Sequence, residues 1–367
     1  MLTTLIRFDL RQLWEFSTDG GLRIGIGYPI VIWLLIGTLS VWRMNRSKSS
    51  AGDLIFGGLF WLAVPIGVVV LSRMKPGLAP DGVPVFGYGF MMFVGFIAGI
   101  FSATRRARLV GLNPDVIMDM GMWLLIPGIV GARSFYLIQY HERVFGRAEG
   151  FREVVFAAVN LPDGGLVFYG GLIAGILGFI AFCFRHKLSV LLMADTIAPS
   201  LFIGLGFGRI GCFLYGCCFG DRCDLPWAVQ FPVDSMPYKA LLERGFIAAD
   251  APSTFALHPS QLYSSVSAFV LAGLLAVYFR HRPWNGAVLA VAWILYPINR
   301  FVLEFLRGDE LGQFNTSLTI SQLVSMGLFA TGIAYLVWMT MQAKRERPVR
   351  TPVPSAKSSG SMAISQN

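Results

Sequence analysis

Gly165-Leu-Val-Phe-Tyr-Gly-Gly-Leu-Ile-Ala-Gly-Ile-Leu-Gly-Phe-Ile-Ala-Phe-Cys-Phe184 runs for twenty residues without a charged side chain and stops at Arg185 and Lys187. About 20 residues of helix span the hydrocarbon core of a bilayer, so this stretch is a membrane-crossing helix. Eight more apolar runs of similar length lie near 24–42, 53–72, 83–104, 116–139, 190–212, 261–279, 286–306 and 319–341. The expected fold is therefore all-α: a polytopic transmembrane bundle of about nine spans. Composition agrees. Hydrophobic residues make up 55% of the chain and charged residues 14%, with a mean hydropathy of +0.62. That is roughly half the charge of a soluble domain. The 41 glycines suit transmembrane helices whose backbones approach closely.

The formal charge of +9 does not point to nucleic acid, because the basic residues sit in short clusters between the apolar runs. Arg43, Arg46 and Lys48 follow the first run, Arg105, Arg106 and Arg108 the third, and Arg185 and Lys187 the fifth. Arg280 and Arg282 follow the seventh, and Lys344, Arg345 and Arg347 the ninth. Every odd-numbered span thus exits into a basic segment, which puts the N-terminus outside and the C-terminus in the cytoplasm. The segment 213–260 then lies outside as a small head. Residues 1–22 hold Asp9, Glu15 and Asp19 and no signal-peptide core; Leu2, Leu5, Ile6, Leu10, Leu13 and Trp14 suggest an amphipathic helix on the membrane surface. The tail 343–367, rich in Lys, Arg, Pro and Ser, reads as disordered and cytoplasmic.

Function in such a chain resides in ionisable groups within the spans, where a charge costs about 2.5–3.5 kcal/mol on insertion scales. In the eighth span Tyr296, Arg300, Glu304 and Arg307 recur at four, four and three residues, on one helical face. Two arginines for one carboxylate leave spare positive charge for an anionic ligand, beyond a neutralised pair with Arg307 reaching to the surface. A second cluster is Gly204-Leu-Gly-Phe-Gly-Arg-Ile-Gly-Cys-Phe-Leu-Tyr-Gly-Cys-Cys-Phe-Gly220. Gly206, Gly208 and Gly211 spell GxGxxG, but without a preceding strand they do not bind a nucleotide; they let helices or a lipid approach beside Arg209. Arg133 near the outer end of the fourth span adds a fourth guanidinium, and the guanidinium fork matches phosphate oxygens. Cys212, Cys217, Cys218 and Cys223 are spaced C-x4-C-C-x4-C, without the paired CxxC of a zinc site, so no metal or other cofactor is expected. A disulfide among the outer three fits an oxidising compartment, and Cys183 and Cys212 read as small packing residues. Tyr88 and Tyr169 stand at span ends, where they serve a cavity or an interfacial aromatic belt. His258 and Gln261 open the seventh span within His258-Pro-Ser-Gln-Leu-Tyr263.

From about Val83 to the ninth span the chain resembles the prolipoprotein diacylglyceryl transferases. Gly208 to Gly220 keep the register of that family's Gly-Arg-x-Gly-Asn-Phe-x-Asn-x-Glu-x-x-Gly motif. Asp195 with Ala198-Pro199, His258 to Tyr263, Arg300-x3-Glu304-Phe-x-Arg307, Tyr88-Gly89 and Gly131-Ala132-Arg133 follow in the family's order. The chain departs from the motifs at four places: Cys212 and Tyr215 replace asparagines, Cys217 replaces glutamate, and Tyr169 stands in place of a histidine. The resemblance divides the chain into residues 1–22, two extra spans in 23–82, a seven-span core over 83–342 and the tail.

The resemblance implies transfer of diacylglycerol from phosphatidylglycerol to the lipobox cysteine of a prolipoprotein in the bacterial plasma membrane, with glycerol phosphate leaving. Membrane lipid and lipobox signal peptides are the implied partners, and nucleic acid is not. Arg209 and Arg300 are expected to stabilise the departing phosphate, with Arg133 and Arg307 in support. Tyr169, Tyr88 and Glu304 are the candidate acceptors of the thiol proton, and Tyr296, His258 and Gln261 are candidate substrate contacts. The altered motif residues also fit a lipid-binding or transport protein that kept the cavity, or a transferase with another acceptor.

Overall fold

The structure, a computed structural model, describes residues 4–9, 16–17, 22–25, 27–46, 62, 83–145, 150–159, 165–307 and 318–345. Its described N-terminal residues form strands, not the expected amphipathic helix. β1 (Thr4–Asp9), β2 (Phe16–Ser17), β3 (Leu22–Gly25) and β4 (Val83–Phe86) make a small sheet in the order β2-β3-β1-β4. Thr4, Ile6 and Phe8 recur at period two, and the register sets Ile6 opposite Leu22 and Val85, and Phe8 opposite Ile24 and Val83. Alternation of apolar residues over a short stretch favours a strand once partners exist, and that wins here over the helical pattern. α1 (Gly27–Arg46) covers the first expected span. The second, 53–72, lies outside the described residues except for Leu62, and so does all of the tail beyond residue 345.

The expected third to ninth spans are all present as helices. They are α2 (Gly87–Leu109), α3 (Asp115–Gln139), α6 (Phe168–Arg185), α7 (Val190–Tyr215), α9 (Ser260–His281), α10 (Ala287–Glu304) and α11 (Ile320–Arg345), each long and apolar enough to cross a membrane. Shorter helices α4 (His141–Phe145), α5 (Phe151–Val159) and α8 (Met236–Glu243) lie between them. The third span starts later than the apolar pattern because Val83–Phe86 is spent on β4; Pro84 holds Val83 extended.

α7 is the central helix. Half of its most apolar stretch is buried, against a third or less in the other spans. It packs against α2 on one side and α9 on the other, while α3 pairs with α6 and α10 with α11. Two buried ionisable groups fasten these helices. Asp195 on α7 accepts from the backbone N–H of Gly286 at 2.8 Å and of Leu289 at 2.9 Å, capping α10, and lies 3.5 Å from Arg282 Nε. Arg106 on α2 donates from Nε to the Thr196 carbonyl at 2.8 Å and from its terminal nitrogens to the Ser102 and Ser200 hydroxyls. With no water in the hydrocarbon to solvate these groups, partners on neighbouring helices are what make their burial tolerable.

Between α7 and α9 the chain builds a small folded segment, the head, with its own core of Phe219, Phe231, Leu241 and Leu257. Ser235 caps α8, and the Tyr238 hydroxyl donates toward the Ala249 and Ala251 carbonyls, tying the helix to the returning strand-like segment.

Candidate active site

The site begins where α7 ends. Gly216 closes the helix in the left-handed region at φ 92°, its N–H bonded to the Cys212 carbonyl at 2.8 Å. A side chain would be strained there, and glycine is the usual solution. Cys218 follows, also left-handed at φ 59°. The turn folds the chain back on itself, so that the sulfurs of Cys212, Cys217 and Cys218 all lie within 4.8 Å of one another. Two side chains from the start of α9 hold the turn: Gln261 Nε2 donates to the Cys217 carbonyl and the Ser260 hydroxyl to the Cys218 carbonyl, both at 2.8 Å. Hydrogen bonds from Cys212 and Cys217, with the Arg209 and Arg307 guanidiniums adding, hold the Cys218 thiol well below the usual range. Bonding to Cys212 and Cys218 pushes Cys217 up.

The loop then runs between α9 and α10. Gly220 bonds the His258 carbonyl through its N–H and pairs with Arg307 across an antiparallel bridge, and Asp221 N–H bonds the Leu306 carbonyl at 3.0 Å. Any Cβ at Gly220 would sit 2.5 Å from His258 Cβ and 2.6 Å from the Leu306 carbonyl oxygen. This close passage brings the end of α10 to the cysteine turn. On that end, Glu304 is buried and bonded to Arg300; it lies 3.7 Å from an Arg307 nitrogen and accepts from the Thr319 hydroxyl at 2.9 Å. Arg300 also donates to the Ser321 hydroxyl at 2.8 Å. Arg209 is different: among the described residues no carboxylate pairs with it.

Comparison with known proteins agrees with this geometry. The model of the family described as prolipoprotein diacylglyceryl transferase matches residues 78–338, which is most of the chain. The chain belongs to the prolipoprotein diacylglyceryl transferase family. It is 34% identical to a phosphatidylglycerol–prolipoprotein diacylglyceryl transferase of Clostridium tetani over 71% of this chain and 96% of that protein. A protein of the same description from Rhodopirellula baltica is 29% identical over 88% of each chain, a share that reaches beyond residues 78–338.

Among the site residues expected for a prolipoprotein diacylglyceryl transferase, the structure gathers one group and disperses others. Arg209, Arg300, Glu304, Arg307 and Gln261 converge on the cysteine turn and the end of α10. Tyr88, at the start of α2, joins them: its ring lies 3.1 Å from where a Cβ on Gly211 would be, and it is within electrostatic reach of Arg209 and the three thiols. Likewise Gly206 meets the Phe269 ring and Gly208 the Met92 sulfur, so the glycines serve helix approach, as expected. His258 holds Tyr263 at 3.3 Å, and Trp227 Nε1 donates to the same hydroxyl at 2.7 Å. Tyr296 packs edge-on against Phe202 within the apolar core of α7, α9 and α10. Arg133 donates to the carbonyls of Ala157 and Ala158, in the last turn of α5, and of Gly165. A guanidinium engaged on two carbonyls at a helix C-terminus caps that helix, and its third bond ties the cap to Gly165 at the start of the next segment. Tyr169 is 60% exposed at the start of α6, in the α3–α6 pair, with its ring edge against Phe168.

The spacing argument missed the meeting of the cysteines, so the reading of Cys212 as packing is corrected: its sulfur faces two others. Ligand-spacing rules assume a short loop within one element, whereas here a helix end and a left-handed turn bring the sulfurs together. All five cysteines are free, without the disulfide the spacing allowed. Apolar clefts open between the helices. One of about 710 Å³ is lined by Trp227, Pro259, Leu262, Tyr263, Val266 and Asn299, and another of about 290 Å³ lies between α2, α3 and α7.

Proposed function

We propose that this chain transfers the diacylglyceryl group of phosphatidylglycerol to the lipobox cysteine thiol of prolipoproteins, at the outer face of the bacterial plasma membrane. The observation that carries the reading is Arg209: a guanidinium without a carboxylate partner among the described residues, acting on the same Cys218 thiol as Arg307 of the Arg300–Glu304–Arg307 group. Three guanidiniums against one carboxylate favour a phosphate, and the clefts suit its acyl chains. The sulfur attacks the glyceryl carbon, the carbon–oxygen bond breaks, and its electron pair leaves on the phosphate of glycerol phosphate. Arg209 and Arg300 stabilise the charge that gathers there. Glu304, held by both arginines and by Thr319, orients them. Of the three proton acceptors considered, Tyr88 stands beside Arg209 and the thiols, where its hydroxyl can only relay the thiol proton, accepting it on oxygen as its own proton passes to water. Gln261 Oε1 is buried and has no partner among the described residues, so it is an acceptor for a glycerol hydroxyl.

The same reading sets nine spans, with the N-terminus and the 213–260 head outside and the C-terminus inside, on the strength of the five basic exits. The test is transfer itself. Purified protein, phosphatidylglycerol and a lipobox peptide should yield a peptide heavier by one diacylglyceryl group, on cysteine. Binding of lipid with no modified peptide refutes the transferase reading.

A further inference from the structure

We propose that Cys212, Cys217 and Cys218 form a site for a thiophilic divalent cation, of which Zn²⁺ is the type, and that its fourth coordination position takes the acceptor thiol. The proposal rests on the thiol-transferase reading above and deepens it. The three sulfurs already lie within 4.8 Å of one another. Tetrahedral Zn–S bonds of about 2.3 Å separate thiolates by about 3.8 Å, so sub-ångström side-chain movement closes the set. Neighbours that hold the ligands are in place: Gly216 sets the turn, and Gln261 and Ser260 hold the Cys217 and Cys218 carbonyls. Cys223 is buried in the head and is not a member of the cluster. Three protein ligands with a fourth position open is the pattern of catalytic zinc; structural sites close all four. A divalent ion with three thiolates carries one net negative charge, and Arg209 and Arg307 act on the cluster to balance it.

The chemistry asks for such a group. The proton acceptors at hand are a tyrosine and a carboxylate already engaged by two arginines and Thr319, none of them a strong base at neutral pH. A coordinating thiol loses its proton outright, to water. The bound thiolate then attacks the glyceryl carbon as the carbon–oxygen bond breaks. The product thioether is neutral, binds the ion weakly and departs.

The full-length protein, purified in detergent with reductant and stripped with chelator, is titrated with Co²⁺. One Co²⁺ per chain should bind, with thiolate-to-cobalt absorption in the near ultraviolet that Zn²⁺ abolishes. A lipobox peptide should shift the visible bands, and the same peptide with its cysteine replaced by serine should not. The Cys217→Ser and Cys218→Ser variants, made singly, should each weaken binding at least about tenfold, and Cys223→Ser should leave it unchanged. Absence of the thiolate band, its persistence in both variants, or a mass two daltons low from a disulfide overturns the site. Bands unmoved by the peptide overturn its role toward the acceptor. Transfer by the wild type is measured in parallel. Turnover without Co²⁺ binding refutes the site alone, and binding without turnover refutes the transferase reading on which the acceptor role rests.

Discussion

Arg209→Ala and Arg300→Ala should both abolish transfer, yet differ in what they do to the fold. Arg209 has no carboxylate partner among the described residues, so its removal strands no buried charge. Loss of one donor to developing phosphate charge costs about 10²–10³ in kcat, or about 2.7–4 kcal/mol of barrier, and stability should hardly move. Arg300 is bonded to Glu304, whose side chain is 0% exposed. Removing one partner of a buried pair costs about 3–5 kcal/mol. The lower end applies here, because Arg307 stays 3.7 Å from Glu304 and Thr319 still donates to it. Arg300→Ala should therefore lose both turnover and several degrees of unfolding midpoint. Lysine should rescue Arg209 poorly, since it lacks the bidentate fork. The assays are single-turnover transfer to a lipobox peptide and thermal unfolding in detergent. Near-normal turnover in Arg209→Ala, or an Arg300→Ala protein as stable as wild type, refutes the division of labour.

Asp195→Ala should lower the unfolding midpoint by removing the α10 cap and the Arg282 partner, about 2–4 kcal/mol in sum, without changing turnover per folded molecule; a proportionate loss of turnover would make Asp195 part of the chemistry. Gly220→Ala should detach the cysteine turn from α10 and abolish activity, while Gly273→Ala, where a Cβ meets nothing within 4 Å, should be harmless in both assays. In a cysteine-free background, Ser235→Cys should react with an impermeant thiol reagent in intact cells, and Ser47→Cys and Ser355→Cys should not. Labelling Ser355→Cys while sparing Ser235→Cys reverses the orientation.

The spans were legible because a bilayer reduces folding to one question, whether about 20 residues can leave water together. Gly165 to Phe184 answers it alone, and the helix Phe168–Arg185 follows the run to within three residues at its start. The N-terminus was not legible in the same way. Leu5, Ile6 and Leu10 satisfy a helical stripe, and Thr4, Ile6 and Phe8 satisfy a strand. Only the pairing of β1 with residues up to 82 positions away (Thr4 with Phe86) decides between them, and no local pattern records that pairing.

The charged groups divide along a similar line. On α10, four-residue spacing forces Arg300 and Glu304 together whatever the tertiary fold, so the pair could be read from one helix. Arg133, Arg209 and Asp195 look alike in the sequence: each is an ionisable group in an apolar run. What separates them is the neighbouring element. Arg133 meets the open carbonyls at the end of α5, Asp195 meets the open N–H groups at the start of α10, and Arg209 meets the thiols and, among the described residues, no carboxylate. A buried charge satisfied by a helix end has finished its work in folding the protein. A half-buried guanidinium without a carboxylate partner among the described residues keeps its attraction for an anion that arrives, and the proposed arrival is a lipid phosphate. The cysteines extend the argument: three thiols drawn to one point offer the packing little that smaller apolar side chains would not, but they offer a soft cation a ready ligand set.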